Sequence, residues 1–423
     1  MKKFIQSKAT NMKIENRAEK DSADGDDLAG NSQKISQKTP FQEGIERFKK
    51  DKLAKFGLLG IIFLLQVAIF APFLANGRPL LLFKGGTLSS PMLHFLFAPD
   101  SSEIIVEQFF NYLMLLSIVA FVLFLISRFI TLKYIKTIAT ISAVLLLFPF
   151  FTTKQKLEKS NWRTLSADLE GSEFAIFAPV PYGPFENVAP PYQPPSSRHY
   201  FGTDKIGRDV LSRMIYGSRV SLAVGIFATG IAITVGIIIG LISGYFGGKT
   251  DFMIMRIVEI VICFPTFLLL LILMSIMMDM KFQQSILIVI GVIGITGWTG
   301  LTRLIRGETL KLRSLAFVQS CEALALPTWR IMLYHLLPNL VGIIMISFTF
   351  GIAGAILAES SLSFLGFGVQ DPTASWGELL RQSFEDPKSY WHLTLFPGLA
   401  LFIAVLSFNF AGEGLRKTLD PKG

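Results

Sequence analysis

The sequence predicts an all-α membrane protein with about eight transmembrane helices. Of its 423 residues, 51% are hydrophobic and only 17% are charged, whereas soluble domains carry about a quarter charged residues. The apolar residues form uninterrupted blocks, and a block of ~18 or more such residues indicates a helix that crosses the bilayer. A transmembrane β-barrel would instead show short segments of alternating hydrophobicity, and the sequence has none.

The placement of the basic residues argues against a nucleic-acid-binding protein, and the placement of the two cysteines argues against a disulfide or a metal site. A net charge of +9 could indicate nucleic-acid binding. The basic residues, however, stand at the ends of the apolar blocks, where the orientation signals of membrane proteins lie. Cys263 lies in an apolar block and Cys321 in a basic loop, so we expect no disulfide, and their spacing is not that of metal ligands.

The first 55 residues are predicted to be a polar cytosolic tail. Lysines flank an acidic run over residues 21–27, and this composition cannot bury a hydrophobic core, so we expect the tail to be disordered. The first apolar block begins near Phe56. That position is too deep for an ordinary signal peptide, and we expect the block to remain as a membrane anchor.

The apolar blocks divide the chain into regions. The anchor and two extra spans occupy residues 56–151, and a loop rich in Pro and aromatic residues covers 152–200. For this external loop, an ordered irregular segment and a disordered linker both remain open. The predicted spans are 56–76, 111–130, 134–151, 219–246, 253–279, 284–302, 339–358 and 393–412.

Basic clusters predict the orientation. They precede span 1 (49–55), join spans 2 and 3 (128–136), follow span 6 (303–313) and follow span 8 (416–417). Eight alternating spans place all four clusters, and both termini, on the cytosolic side, as the positive-inside rule requires. Lysines within 154–159 fall outside and conflict with the rule, but long loops obey it poorly.

Two of the predicted spans carry glycines on one helix face. Small residues at this spacing allow another helix to approach closely, either within the subunit or in a partner. The glycines are Gly236, Gly240 and Gly244 in span 4, and Gly291, Gly294, Gly297 and Gly300 in span 6.

The run from Gly244 to Thr250 imitates a phosphate-binding loop, but two requirements fail. The position of the first glycine is occupied by Ser243, and the run follows a membrane helix rather than a strand. We therefore interpret it as a tight cytosolic turn between spans 4 and 5. Any use of ATP must then come from another polypeptide.

Two further function classes are disfavoured. Ion-coupled carriers usually place a row of buried carboxylates or histidines inside their spans, and the predicted spans show no such row. The exception is Glu259, which we expect to pair with Arg256 at i,i+3 spacing near the membrane surface. The four histidines are scattered over loops and span ends, and no nucleophile–base constellation is visible. We therefore expect that the chain is not an enzyme.

Three stretches resemble the permeases of binding-protein-dependent ABC importers, in the dipeptide/oligopeptide/nickel branch. The first runs from His199 to Leu222, the second from Glu359 to Gly377, and the third from Asn409 to Pro421. The resemblance implies a type I ABC importer permease core over 201–423, with an external signature before span 4. The signature positions are Gly202, Thr203, Asp204, Gly207, Arg208, Asp209 and Arg213.

Segments around residues 75–80 and 189–198 are similar to the microcin C/peptide-type subgroup. Relative to that pattern, spans 2 and 3 are an insertion, for which the sequence offers no functional account.

The resemblance also implies a cytosolic coupling loop within 303–338. In this chain Gln319 and Ala325 replace the glutamate and glycine typical of the family, and Pro327 can begin a second short helix. We expect Phe317, Cys321 and Leu324 to share one helix face that contacts an ATPase; packing of these side chains on the permease's own helices is the alternative. The coupling residues are Phe317, Gln319, Ser320, Cys321, Ala323, Leu324, Ala325, Trp329, His335 and Pro338.

The implied function is import of peptides across a bacterial inner membrane. The resemblance implies a second homologous permease, two cytosolic ATPases that bind ATP-Mg, and an external substrate-binding protein, all assembled around a chain in the lipid bilayer that binds no cofactor itself. An importer of nickel or another small solute remains the alternative within the family. An ion-coupled secondary transporter is the alternative from another class.

Overall fold

The computed structural model describes residues 48–97, 103–126, 173–280 and 286–419, with isolated positions 139, 142 and 162. Of an N-terminal unit, Met1–Lys50, only the helical residues 48–50 are described. Residues 1–47 of the predicted tail and residues 420–423 lie outside the described residues, as does predicted span 3 apart from residues 139 and 142.

The described chain from Asp51 onward is a helical bundle with one small sheet. The helices on the N-terminal side are α1 (Lys52–Ile69), α2 (Ala71–Leu74), α3 (Pro91–Phe97) and α4 (Ile104–Ile126). The longer C-terminal set is α5 (Val210–Phe246), α6 (Gly248–Cys263), α7 (Thr266–Asp279), α8 (Ile286–Thr296), α9 (Trp298–Arg313), α10 (Ala316–Ala323), α11 (Thr328–Arg330), a π-helical turn (Ile331–Leu336), α12 (Leu337–Phe364), α13 (Trp376–Arg381) and α14 (Trp391–Leu419).

Helix α5 is the axis of the bundle. Its 37 residues extend about 55 Å at 1.5 Å per residue, and α1, α8, α9 and α12 pack around it. The two ends of the bundle are named here for the residues that bound this helix, the Asp209 end and the Gly247 end. At the Gly247 end, Gly247 and Gly248 have φ of +64° and +51°, and the chain turns directly into α6, as predicted for the run that imitates a phosphate loop.

The span-4 glycines are packing positions within this subunit. A Cβ added at Gly240 would lie 2.8 Å from Ile305 Cβ, and one at Gly244 would lie 2.6 Å from Thr309 Cβ. The glycine face of α5 is therefore filled by α9. In predicted span 6 only part of the strip behaves this way, because a Cβ at Gly294 would meet Ile231, whereas one at Gly291 would meet open space.

Among the described residues, six helices are long and apolar enough to cross a membrane. The pair α6 and α7 gives a seventh if it counts as one span, but it is bent by 83°. The break occurs at Phe264 and Pro265, where α7 begins without the backbone donor that a continuous helix needs. The continuous span predicted for 253–279 is thus wrong in detail.

At the Asp209 end, the chain forms a small antiparallel sheet with strand order β2-β1-β3. Strands β1 (Leu81–Lys84), β2 (Thr87–Ser89) and β3 (Phe174–Ile176) join residues from both sides of α4. An isolated bridge between Asn187 and Arg208 then ties the following segment to the signature loop. Residues 173–200 therefore follow a defined path over this end of the bundle.

Candidate functional site

The signature loop is organised around Asp204, which is fully buried. Its Oδ1 accepts hydrogen bonds from the backbone amides of Ile206 at 3.0 Å and Arg208 at 2.9 Å. Its Oδ2 accepts one from Arg208 Nε at 2.6 Å. Gly207 completes the turn at φ +84°, and a Cβ there would lie 1.8 Å from Ala189 O, so only glycine fits.

Two arginines connect this loop to the second motif of the sequence. Arg208 Nη1 lies 2.6 Å from Asp371 Oδ1, and Arg213 Nη2 lies 2.7 Å from Glu378 Oε2. Arg213 Nε also lies 3.3 Å from Asp204 Oδ2. Both guanidinium groups are nearly inaccessible to solvent, and pairing with three carboxylates offsets the cost of burying their charge.

The charges of this cluster shift the pKa of Asp371. Burial alone would raise the pKa of its carboxyl. The hydrogen bond from Arg208 and the positive charges of Arg208, Arg213 and Lys205 outweigh burial and hold the pKa below its ordinary value. Asp371 therefore remains ionised in the folded protein at neutral pH.

Asp209 caps the N-terminus of α5. Its Oδ2 accepts a hydrogen bond from the amide of Ser212 at 2.8 Å, and its Oδ1 lies 2.9 Å from His199 Nδ1. Burial raises the pKa of this carboxyl even though Ser212 and His199 bond to it. The cap fixes where the helix begins.

The remaining signature residues join the loop to its surroundings. Thr203 Oγ1 donates to Pro190 O at 2.8 Å, and Thr203 O lies 3.1 Å from His392 Nε2. Gly202 holds a backbone φ of +78° beside the same histidine. The buried Trp376 of the second motif donates from Nε1 to Met214 O at 3.2 Å, so the two motifs form one structural unit.

The expectation that the spans lack buried carboxylates, with Glu259 as the exception, is wrong. Glu259 does pair with Arg256 at 2.7 Å on the surface. But α4 carries Glu107, which pairs with Arg219 at 2.8 Å, and α12 carries the buried Glu359, which accepts a hydrogen bond from Ser363 Oγ at 2.7 Å. The predicted spans ended short of these residues, and each carboxylate is committed to a partner.

A cavity of about 290 Å³, named here the central cavity, lies between α5, α7, α8, α9 and α12. None of the described residues that line it is charged. Thr229 is buried, and its Oγ1 has no hydrogen-bond partner among the described residues, so it can bond to a molecule in the cavity. The lining is formed by Ala228, Thr229, Ala232, Ile233, Thr266, Leu270, Ile293, Thr296, Gly297, Leu301, Ser347, Gly351, Gly354, Ala355 and Ala358.

At the Gly247 end, a polar clamp joins three helices. Asp251 of α6 accepts hydrogen bonds from Arg306 Nε and Nη2 of α9 and from Ser243 Oγ of α5, each at 2.5 Å. Nearby, Tyr245 Oη donates to Glu322 Oε1 of α10 at 3.0 Å. A displacement of α10 would therefore be transmitted to the end of α5.

The predicted coupling residues fall into an exposed set and a buried set. Phe317 is 38% exposed, Trp329 is 56% exposed and Leu324 is 75% exposed. Cys321 is instead buried and packs in a core with Val318 and Ile331. The expectation that Cys321 shares an exposed face with Phe317 and Leu324 is wrong, because the Cys321 side chain faces this core, whereas the other two side chains are exposed. Gln319, Ser320, Ala323, Ala325 and Pro338 are exposed, and His335 is half-buried.

Ala325 adopts the left-handed backbone conformation for which the family typically has glycine at this position. Its φ is +54°, in the left-handed region, which costs an alanine about 1 kcal/mol relative to glycine. Leu326 N then bonds back to Cys321 O at 3.1 Å, and Pro327 precedes the short helix α11. The turn is thus closed despite the missing glycine.

Comparison with known protein families gives two matches. Residues 236–422 match the model of the binding-protein-dependent transport system inner membrane component. Residues 39–81 match the N-terminal TM domain of oligopeptide transport permease C.

Individual proteins are similar over more than half of the chain. A glutathione transport system permease protein of Pectobacterium atrosepticum is 38% identical over 54% of this chain and 74% of its own length. An oligopeptide transport system permease protein of Haemophilus influenzae is 42% identical, over 53% and 70%. A dipeptide transport system permease protein of Alkalihalophilus pseudofirmus is 38% identical, over 59% and 81%.

Proposed function

The chain belongs to the family of binding-protein-dependent transport system inner membrane components, and on that premise we propose that it imports peptides as one permease of an ATP-driven complex. It is a multi-pass inner-membrane permease. The similar proteins are named for oligopeptide, dipeptide and glutathione transport, and each of these substrates is a peptide. This agreement carries the proposal of a peptide substrate.

The central cavity supports this substrate class. Its described lining combines small residues with the hydroxyls of Thr229, Thr266, Thr296 and Ser347, without a charged group. Hydroxyls can bond to the peptide backbone, which all peptides share, whereas a fixed charge would select particular side chains. Such a surface suits passage of peptides that differ in sequence.

We assign the Gly247 end to the cytosol and the Asp209 end to the outside. The motivation is the basic cluster of residues 303–313, which lies at the Gly247 end in α9. In this orientation the exposed side chains of Phe317, Leu324 and Trp329 face the cytosol, where an apolar surface of this kind fits a protein partner.

The proposed mechanism uses separate ATPase subunits, a second permease and an external binding protein. ATP-Mg bound to the ATPases supplies the energy, and this chain makes and breaks no bonds. Closure of the ATPases displaces α10, and the Tyr245–Glu322 bond passes this displacement to α5. The clamp around Asp251 makes α6 and α9 move with it, so the cavity alternates between the two sides.

Filling the cavity should block transport without unfolding the protein. Gly354 lines the cavity, and a Cβ added there meets nothing within 4 Å. We expect Gly354→Leu to lower uptake of a labelled peptide by about tenfold or more, because the side chain narrows the path, while membrane levels stay normal.

Gly230→Leu is the matched control for this change. It is also a glycine inside a helix with nothing within 4 Å of an added Cβ, but it is not among the lining residues. Equal uptake by the two variants would contradict the assignment of the cavity as the transport path.

A further inference from the structure

Helix α4 lies between the two segments that match family models, 39–81 and 236–422. As a predicted span it had no functional account. In the structure one face of its first half is buried in the bundle, with Val106, Phe110 and Met114 nearly inaccessible. Its polar residues, together with Glu103 just before it, contact α3, α5 and α8.

The first of these contacts involves the break between α1 and α2. Pro72 has no N–H group, so the carbonyl of Ala68, four residues earlier, has no helical donor. Phe73 N bonds to Phe70 O rather than to Ile69 O, which leaves a second free carbonyl. Arg219 of α5 supplies both missing donors, with Nε 2.7 Å from Ala68 O and Nη2 3.1 Å from Ile69 O.

Helix α4 supplies the negative charge that Arg219 requires. The guanidinium is fully buried, and its Nη1 donates to Glu107 Oε2 at 2.8 Å and to Asn111 Oδ1 at 2.9 Å. Asn111 in turn donates to Leu96 O at 2.9 Å, which ties α3 to the cluster. Removing one member of a buried ion pair leaves an uncompensated charge, so Arg219 holds α1 and α5 together only while Glu107 is present.

A second carboxylate, that of Glu103 immediately before α4, reaches a different helix. Glu103 Oε1 accepts a hydrogen bond from the backbone amide of Ile286 at 2.9 Å. Ile286 is the first residue of α8, and a carboxylate at a helix N-terminus satisfies a free amide and complements the helix dipole. Helix α4 therefore holds α5 through Glu107 and α8 through Glu103, one helical turn apart.

Both of these helices line the central cavity. Helix α5 contributes Thr229 and α8 contributes Thr296 to its wall. Arg219 precedes Thr229 on α5, and Ile286 is the first residue of α8, so both contacts with α4 lie on the Asp209 side of the cavity. We propose that α4 is a brace that fixes the separation of α5 and α8, with Glu107 and Glu103 as positioning residues. It acts on the side of the cavity nearer the Asp209 end, which we call the outer mouth. This proposal rests on the proposed function only in treating the cavity as the transport path.

The test measures access to the cavity rather than transport. Thr229→Cys places a thiol in the cavity wall, and its labelling by a membrane-impermeant maleimide from outside reports how far the mouth is open. All variants carry Thr229→Cys, and labelling is counted at that position only. We expect Glu107→Gln and Glu103→Gln each to raise the labelling rate about tenfold. Each substitution weakens one of the two contacts that hold α5 and α8 at their present separation, so a wider mouth becomes more populated.

Glu259→Gln serves as the control. It removes the carboxylate of another arginine pair, 2.7 Å long against 2.8 Å for Arg219–Glu107. This control pair is exposed and belongs to α6, outside the brace, so labelling should not change. The amount of protein in the membrane is measured for every variant. If Glu107→Gln does not accumulate in the membrane, the labelling rate of Glu103→Gln tests the brace. Labelling no faster than in the control would overturn the brace. If the two variants are labelled faster but the wild-type complex imports no peptide, the brace is supported and the proposed function is contradicted.

Discussion

Replacing Ala323 by glutamate should abolish ATP-driven uptake while leaving the permease inserted in the membrane. Ala323 is the last residue of α10, it is exposed, and it is followed by Leu324, whose side chain is 75% exposed. A charge at the centre of a protein interface loses its hydration without gaining an opposite charge, which weakens binding. Truncating an anchor residue of an interface often costs ~2 kcal/mol or more of binding free energy. We expect loss of ATPase subunits from the purified complex and at least about a tenfold loss of uptake.

Two matched variants separate this coupling role from a role in folding. Ser314→Glu places the same charge on an exposed residue before α10 and should leave ATPase retention unchanged. Val318→Glu places it on the fully buried face of α10 and should lower the membrane level instead, because a buried charge without a partner destabilises the fold. Normal ATPase retention and uptake by Ala323→Glu would remove the coupling assignment.

Replacing Arg213 by alanine should destabilise the whole Asp209 end. The side chain is fully buried, bonds to Glu378 at 2.7 Å and lies 3.3 Å from Asp204. Without it, two buried carboxylates lose a positive partner, and loss of one member of a buried pair costs ~3–5 kcal/mol. We expect a lower membrane level and a lower midpoint of thermal unfolding in mild detergent.

Lys205→Ala is the control for the Arg213 variant. Lys205 belongs to the same loop and approaches the same cluster, 3.7 Å from Asp371, but its side chain is 39% exposed. Exposed ion pairs contribute ~0–1 kcal/mol, so this variant should behave almost as the wild type. Equal unfolding midpoints for the two variants would contradict a structural role of the buried cluster.

The same cluster gives stability a dependence on pH. The pKa of Asp371 is lower in the folded protein than its ordinary value. The contribution of Asp371 to the free energy of unfolding is therefore fully present above the ordinary pKa of an aspartate. It is lost as the pH falls through the lower, folded-state pKa.

The sequence located the signature residues but not their partners. Asp204, Arg208 and Arg213 belong to one long and specific motif, which the sequence alone identifies. Glu378 is 165 residues from Arg213 in the chain, and the only signal for it is its place directly after the second motif. Pairing over such a distance is set by tertiary packing, which periodicity and composition do not encode.

The span boundaries show the same limit. Hydropathy began span 4 at Arg219, whereas α5 begins at Val210, because buried and paired arginines look like membrane-end residues in a sequence. The break in predicted span 5 did have a signal. Pro265 lies inside that block, and a proline removes a helical hydrogen bond. The inward position of Cys321 had no such signal, since it depends on which face of α10 packs against Ile331 and Leu336 of the π-helical turn.

The most direct test of the central claim is peptide uptake by the purified complex. The chain is affinity-purified in mild detergent, the co-purifying proteins are identified, and the assembly is reconstituted into liposomes with its binding protein outside. We predict that a second permease and ATPase subunits co-purify, and that uptake requires ATP inside the liposomes and proceeds without a proton gradient. Uptake by the chain alone, driven by a proton gradient in the absence of ATP, would contradict the account.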